Sequence, residues 1–531
     1  MQITAKRAVG NPDRPLNGQQ LTRLHQAVEA LSAEQLTWAS GYLAGLGASL
    51  PSTQPAANES AGMTILYATQ GGNARSVAEA LANAATDRGF APRLVSADQY
   101  RPRDRARERL LVAVISTQGE GEPPESAREL FNYLNGRKPP QLPSLQYAVF
   151  GLGDSSYECF CQAGKALDTL LQACGARPLL ERIDADVDFQ HQTEAWNQRV
   201  LKGVEQALPS DQARIIPMQR AAAAPRYDRN HPYRAALLEQ RRITTDDALS
   251  DVHHLVLEVD PSQMHYQPGD ALGVHFRNDP ALIEEILNLT ALPGDTSVSL
   301  GGDALNLAQA LCEQLELTQL HPGVVSAWAK HTAHPALRAI SDNPDTLRRF
   351  ARERQFIDLL QAHPGSIEAQ ALVKLLQPLQ PRLYSIASSQ AAVEDEIHLT
   401  VSALHYQAHG REHLGGASGH LTRRLAEGDS LDIYLAENPA FRLPEDGDTP
   451  IVMVGAGTGI APYRAFLQVR AAAGSRGRNW LVFGYRHFHR DFLYQTDWLN
   501  SRDQGLLDRI SLAFSRDAGQ RTYVQARLYE E

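Results

Sequence analysis

A chain of 531 residues with 43% hydrophobic and 21% charged content has the composition of a soluble globular protein, and it is too long for one core, so several domains are expected. A net charge of -10 excludes broad nucleic-acid binding, which needs a basic face, and is compatible with acidic patches that dock a basic protein partner. The four cysteines, Cys159, Cys161, Cys174 and Cys312, form no C-x-x-C pair, so no metal site and no disulfide framework is expected, and reduced thiols in the cytoplasm are the plain reading.

The opening "MQITAKRAVGNPDRPLNG" lacks an apolar signal core, and no later run is long enough to span a membrane. Within an N-terminal segment, residues 1–60, Leu21, Leu24, Val28 and Leu31 repeat at helical spacing. Ser32 and Gln35 then offer a capping box to a second helix carrying Leu36, Ala39 and Leu43. Such a pair either packs on its neighbour or serves as an oligomerisation or docking element. "GASLPSTQPAANESAG" follows as a flexible linker.

Over residues 61–207 the buried strands "MTILYA", "LLVAVIS" and "LQYAVFGLG" each run into a polar, Gly-rich loop, with helices between them. That is the pattern of a doubly wound parallel sheet, which binds ligands where the loops at its carboxyl edge converge. The first loop gathers Thr69, Gln70, Gly71, Gly72, Asn73 and Ala74 between a strand and a helix. Small residues let backbone N–H groups close around a phosphate there, and the absent P-loop lysine disfavours a nucleoside triphosphate. The second, Ser116, Thr117, Gln118 and Gly119, runs into acidic residues that repel a further phosphate, so it suits a neutral ring. The third spans Leu152, Gly153, Asp154, Ser155, Ser156, Tyr157, Glu158, Cys159, Phe160 and Cys161, and its Tyr157 can stack on a flat heterocycle.

Any one of these loops alone reads as an ordinary turn. All three in order resemble the FMN site of the flavodoxin-like domain of diflavin reductases. The resemblance places the phosphate on Thr69 to Ala74 and the isoalloxazine between Ser116–Gly119 and Leu152–Cys161. Gln118 stands where microsomal monooxygenase reductases carry a second stacking aromatic, which points to another branch of the family.

Residues 208–228 read as a second linker. Residues 229–447 carry antiparallel strands such as "DVHHLVLEV" and "EIHLTVSALHY" around a largely helical insertion at about 280–378. "PRLYSIASS" puts an arginine, an aromatic and several hydroxyls on one strand, able to bind a pyrophosphate and cover a ring. "HLGGASGHL" sets glycines at a helix start suited to the same pyrophosphate. These motifs resemble the FAD-binding barrel of the ferredoxin–NADP reductase family. That resemblance implies FAD contacts at Arg382, Leu383, Tyr384, Ser385, Thr400, Val401, Ser402, Tyr406, Gly415, Gly416, Ala417 and Ser418, with Ser385 the catalytic hydroxyl near the reactive flavin nitrogen. Ser388 and Ser389, taken singly, read as structural hydroxyls.

From residue 448 the α/β pattern returns. "VGAGTGIAPYRAF" has Ile460 in the third glycine position, which weakens a Rossmann reading. It resembles instead the nucleotide domain of ferredoxin–NADP reductases, where Gly457 and Thr458 line the approach of nicotinamide and pyrophosphate. In the closing stretch Ser515, Arg516, Arg521 and Tyr523 can hold a phosphate. By the same resemblance they form, with Thr522, Val524 and Gln525, the 2′-phosphate and adenosine site that selects NADPH.

The expectation is therefore an α/β multidomain chain: a flavodoxin-like domain, an antiparallel FAD-binding barrel with a helical insertion, and a ferredoxin–NADP reductase-type nucleotide domain. Nearly the whole chain resembles the sulfite-reducing branch of the diflavin reductases. That implies FMN, FAD and NADPH as cofactors and a sirohaem and iron–sulfur hemoprotein as partner, for reduction of sulfite to sulfide in cysteine biosynthesis. It also implies a homo-oligomer assembled through the N-terminal segment. Relatives of this branch continue beyond the position of Glu531 with a strand ending in Cys-Gly-Asp, further helices and a terminal aromatic. The expectation is thus a truncated nucleotide domain with "IVMVG" left as an apolar edge, slow reduction by NADPH, and both flavins retained. The alternatives are a reductase for another haem protein and a flavin-bearing assembly module with impaired NADPH oxidation.

Overall fold

The computed structural model describes residues 63–69, 71–100, 108–119, 121–207, 227–517 and 521–531. The N-terminal helical pair, both linkers up to residue 226 and Gln70 lie outside the described residues.

Strands β1 (Met63–Ala68), β2 (Arg93–Ser96), β3 (Leu110–Ser116), β4 (Gln146–Leu152), β5 (Arg177–Pro178) and β6 (Ile183–Ala185) form a parallel sheet. Its order is β2-β1-β3-β4-β5, with β6 also on β4. β3 and β4 are apolar almost throughout because helices cover both faces. On one face Val77, Leu81 and Trp196 pack on Ile65, Val112 and Phe150. On the other Leu130, Leu167 and Leu171 pack on Leu66, Leu111 and Val149. Helix Gln162–Ala173 crosses β4 so closely that a Cβ on Gly164 would lie 2.9 Å from the Gly151 Cα, a crossing that requires glycine. The chain reverses its winding between β1 and β3, and that switch opens the crevice into which the three loops project.

Next come β7 (Tyr233–Arg242), β8 (Asp251–Glu258) and β9 (Ala271–Val274), then the insertion with its hairpin β10 (Ser297–Leu300) and β11 (Asp303–Asn306). β12 (Arg382–Ser385), β13 (Glu396–Ala403), the hairpin β14 (His405–Ala408) and β15 (Arg411–Leu414), and β16 (Ser430–Ala436) complete this region. The main sheet runs β12-β9-β16-β7-β8-β13, all antiparallel. Ile386, just past β12, bridges Leu399 of β13 and so brings the two outer strands together into a barrel. The insertion runs from helix Pro280–Thr290 to helix Ala369–Leu375 around its own core of Leu311, Trp328 and Phe356. The β10–β11 hairpin inside it follows from Gly301 and Gly302, both at positive φ in a two-residue turn.

β17 (Ile451–Ala456), β18 (Asn479–Tyr485) and β19 (Arg509–Phe514) form a parallel three-stranded sheet in that order. β17 is the outer strand of the described sheet, with Val452 exposed. Val252 of β8 sits inside this domain's core beside Met453, Phe466 and Trp498, so barrel and nucleotide domain are packed as one body. No helix among the described residues is long and apolar enough to cross a membrane.

Candidate functional site

The first loop leaves β1 at Thr69 and enters helix Asn73–Asp87, whose Ala74, Val77, Ala78, Leu81 and Ala85 are buried at helical spacing. Gly72 caps that helix in the left-handed region at φ 84°, and no side chain caps it. The Thr69 hydroxyl is buried without a hydrogen-bond partner among the described residues. Open backbone donors beside an orphaned hydroxyl at a helix start are what a phosphate satisfies.

In the second loop Thr117 N donates to Leu152 O, and its Oγ1 accepts from Ala163 N at 3.3 Å. Gln118 and Glu122 exchange backbone hydrogen bonds, and Gly119 and Gly121 both take positive φ, so the chain turns back on itself. In the third loop Ser155 N donates to Asp186 Oδ1 and Ser156 N to Asp154 Oδ1. Tyr157 is half-exposed, its ring free to cover a heterocycle, and Glu158 is exposed as well. Leu152 and Cys161 face inward instead. The Cys161 thiol, pushed up to about 12 by burial, lies against the Gly151 and Ala185 carbonyls, so these two residues offer the crevice only backbone. Cys159 and Phe160 are partly buried in the same turn.

On β12 the Arg382 guanidinium is held by Glu316 Oε2 at 3.1 Å and Gln319 Oε1 at 2.9 Å. Glu316 is buried and its other oxygen accepts from Thr318 and Gln319, so one carboxylate both orders this turn and orients the arginine. Leu383 and Ser385 are exposed, while Tyr384 packs against the barrel core and is pushed up to about 12 by burial. Gly415 and Gly416 lie in a one-turn helix start, Gly416–Gly419, fixed by Leu404 N donating to Ser418 Oγ. A Cβ on Gly416 would come within 2.8 Å of Thr318 Oγ1 and 2.6 Å of Phe276. Only glycine brings this backbone so near the turn that holds Arg382. Ala417 is buried and Tyr406 half-buried against His413.

β13 is placed differently from the exposed part of β12. The Thr400 hydroxyl shares a hydrogen bond with the Tyr494 phenol at 2.6 Å, Val401 is in the barrel core, and Ser402 is exposed. Ser388 bonds Tyr266 and His398 N, and Ser389 N donates to Gln468, both structural roles.

At the third site Gly457 takes φ 58° against the Tyr485 ring, with Thr458 in the turn leading to helix Ala461–Ala472. Ser515 bonds Tyr485 O, and Arg516 N donates to Arg486 O. Asp517 fastens this loop to the one after β18, accepting from Phe488 N at 2.6 Å and pairing with His487 at 2.9 Å. Arg516 and Arg521 are exposed and pair with no described carboxylate, and Tyr523 is exposed beside them. An arginine on a backbone fixed by Ser515, Arg516 and Asp517, with a second exposed arginine at 521, suits a phosphate monoester. Thr522 precedes helix Val524–Glu530, where Val524 packs on Gly484 and Gln525 is exposed.

The structure brings the first two sites together. A Cβ on Gly71 would lie 3.8 Å from Leu383 Cδ1, so the first loop of the doubly wound domain meets the exposed part of β12. The residues that hold this seam carried no motif. His321 Nε2 lies 2.9 Å from Ser155 Oγ, 3.4 Å from Asp186 and 3.7 Å from Asp154. Burial opposes charge on both partners, but the pairing outweighs it. Asp186 is held down at about 2 by His321 and Ser155, and His321 is raised by Asp186, Asp154 and Asp188. The Gly323 N–H donated to His321 Nδ1 at 3.1 Å pulls the other way, one backbone cap against three carboxylates. Arg464, which bonds Asp497 and the Ala387 carbonyl, stands at the end of "GTGIAPYR" and Asp517 inside "SRDAGQ", whereas Tyr494 has no sequence signal.

Three protein-family models match in order: a flavodoxin model over residues 65–202, an FAD binding domain model over 225–420, and an oxidoreductase NAD-binding domain model over 453–531. The sulfite reductase [NADPH] flavoprotein alpha-component of Aliivibrio fischeri is 42% identical over 528 residues, covering 97% of this chain and 87% of that relative. The protein of the same name from Sodalis glossinidius is 45% identical over 97% of this chain and 88% of its own, and that from Vibrio parahaemolyticus is 43% identical over 98% and 86%. With flavodoxin, FAD-binding and NAD-binding domains in one chain and identities of this size along nearly its whole length, the protein belongs to the sulfite reductase [NADPH] flavoprotein alpha-component family.

Proposed function

We propose that this chain takes electrons from NADPH on the β17–β19 domain, passes them through FAD on the barrel to FMN in the doubly wound domain, and delivers them to the hemoprotein component of sulfite reductase. It is an NADPH-linked flavoprotein oxidoreductase, with FMN, FAD and NADPH as its cofactors. It acts in the cytoplasm, and the N-terminal segment assembles it into a homo-oligomer. When bound, the three groups would supply the redox chemistry: a two-electron donor in NADPH, a two-electron acceptor in FAD and one-electron release in FMN.

The chain's own residues select and position. Arg516 and Arg521, with Ser515 and Tyr523, take the 2′-phosphate that distinguishes NADPH from NADH. Arg382 and the Gly415–Ser418 backbone take the FAD pyrophosphate, and Ser385 stands exposed at the end of β12 to hydrogen-bond the flavin. Thr69, Gly71, Gly72, Asn73 and Ala74 take the FMN phosphate, and Tyr157 covers its ring. The observation that carries this reading is the approach of Gly71 to Leu383, close enough that an added Cβ would touch it, which sets the first loop of one flavin site against the FAD strand of the other.

Anaerobic titration of the flavin-loaded chain tests it. NADPH is expected to bleach both flavins and NADH to do so far more weakly. Reduced protein is expected to pass electrons to a sulfite reductase hemoprotein in preference to a microsomal cytochrome. Bleaching by dithionite but not by NADPH would leave the assembly-module reading in its place, and a preference for the cytochrome would overturn the acceptor.

A further inference from the structure

Arg229 lies on the barrel side of the second linker, yet its guanidinium reaches the doubly wound domain. Nη1 donates to Asn73 Oδ1 at 2.8 Å, and Nη2 donates to Gln380 Oε1. Both acceptors are neutral amides. Its other close neighbours are Tyr434 and His275, whose ring hydrogen-bonds the Arg229 backbone. Burial lowers the Arg229 pKa with only Tyr434 opposing, and burial together with the Arg229 charge lowers that of His275.

A half-buried cation thus faces no carboxylate among the described residues. Other arginines near this crevice differ: Arg75 pairs with Glu79, Arg382 with Glu316, and Arg442 with Asp270. A cation withdrawn from water without a counter-ion is costly, so something anionic should complete it. Asn73, which Arg229 grips, is the first residue of a helix whose start has no side-chain cap and whose preceding loop holds the orphaned Thr69 hydroxyl. The uncompensated cation and the unfilled acceptor site therefore share one turn. A phosphate monoester on that turn satisfies both.

We propose that Arg229 is a ligand of the FMN phosphate supplied from the FAD-binding half of the chain. The inference rests on FMN binding at the first loop and deepens it, because the phosphate is then gripped across the seam between two domains. FMN affinity and docking of the two domains become reciprocal, each strengthening the other, and the phosphate rather than the ring carries that coupling.

Full-length protein stripped of FMN provides the test, with flavin fluorescence reporting the affinity for FMN and for riboflavin, which lacks the phosphate. FAD content and melting temperature serve as controls. In R229Q the Kd for FMN is expected to rise about tenfold, the effect of losing one charge-assisted contact, while the Kd for riboflavin stays as in the unmodified chain. R229K is expected to recover part of the loss. Equal weakening of FMN and riboflavin would show that Arg229 only props the loop and would overturn the proposal. An unchanged FMN Kd, or lost FAD in place of lost FMN, would overturn it too. If the unmodified chain itself fails to prefer FMN over riboflavin, the phosphate reading of the loop falls and the proposal falls with it.

Discussion

The two seams of the molecule are built on different principles. Where the barrel meets the nucleotide domain, Val252 is fully buried in the core of its neighbour. There Tyr494 reaches across to Thr400 at 2.6 Å and His254 at 2.9 Å, and Arg464 ties Asp497, the Ala387 carbonyl and His398 together. Where the doubly wound domain meets the rest, the described ties apart from the approach of Leu383 to Gly71 are polar and few: Arg229 to Asn73, His321 to Ser155 and two aspartates, and Arg75 to Glu437 at 3.5 Å. No described hydrophobic cluster spans that second seam. A shared apolar core resists parting, whereas polar ties exchange readily with water. The difference matches the task. On the proposed electron path NADPH has to meet FAD in one fixed geometry, while FMN has to meet FAD and then a separate protein.

The largest effect is expected at the first seam. Tyr494→Ala removes a partly buried ring packed on the nucleotide-domain core and two side-chain hydrogen bonds, and is expected to cost about 3 kcal/mol in guanidinium unfolding. Barrel and nucleotide domain should then lose their shared transition. Tyr494→Phe keeps the ring but leaves Thr400 and the neutral His254 without their phenol partner, for about 1–2 kcal/mol. His254 itself is pushed down to about 3 by burial and by His398 and Arg464, so it brings no charge to this seam. A Tyr494→Ala protein that unfolds at the normal midpoint would remove the basis of the comparison.

How much of this was legible in the sequence divides along the same line. The strands and the Gly-rich loops were readable because local chemistry fixes them. The run "LLVAVIS" is apolar on both faces only if helices cover both, and "GTGIAPYR" needs its glycine at positive φ. The seams were not readable. Tyr494 sits in the left-handed region at φ 54°, a conformation no neighbouring glycine announces, and its partners are 94 and 240 residues away. The family resemblance assigns Thr400 to the FAD site, and nothing local shows that its hydroxyl also shares a hydrogen bond with a tyrosine from another domain. His321 caps the helix that starts at Pro322, and its second role depends on a loop far earlier in the chain, Ser155 standing 166 positions before it.

A smaller effect is expected at the second seam, with a sign that pH can test. Carboxylates raise the pKa of His321, so its contribution to docking is complete below the ordinary histidine value of about 6.5 and fades as pH rises through the raised value. Asp186, held at about 2, contributes above the ordinary carboxylate range of about 3.9 and fades only as pH falls towards 2. Above about pH 6.5 the docked population is therefore expected to decline with rising pH, as seen by small-angle scattering or by a pair of spin labels. His321→Gln is expected to flatten that profile, changing docking by roughly 1 kcal/mol while leaving the unfolding midpoint of barrel and nucleotide domain in place. A variant that keeps the full slope would show that other groups set it.

The smallest effect is expected at the rim of the same seam. Arg75 and Glu437 are both partly exposed and 3.5 Å apart, and Arg75 already bonds Glu79 on its own helix at 2.8 Å. An exposed pair with a competing partner is worth at most about 0.5 kcal/mol, and salt at about 1 M, where the Debye length is about 3 Å, should erase it. Glu437→Gln is thus expected to shift docking slightly at low salt and not at all at high salt. His321, largely shielded from solvent, should keep most of its effect under both conditions. If Glu437→Gln instead opens the seam as far as His321→Gln does, the grip lies in the exposed rim rather than around the shielded histidine. The FMN domain would then be governed by ionic strength before pH.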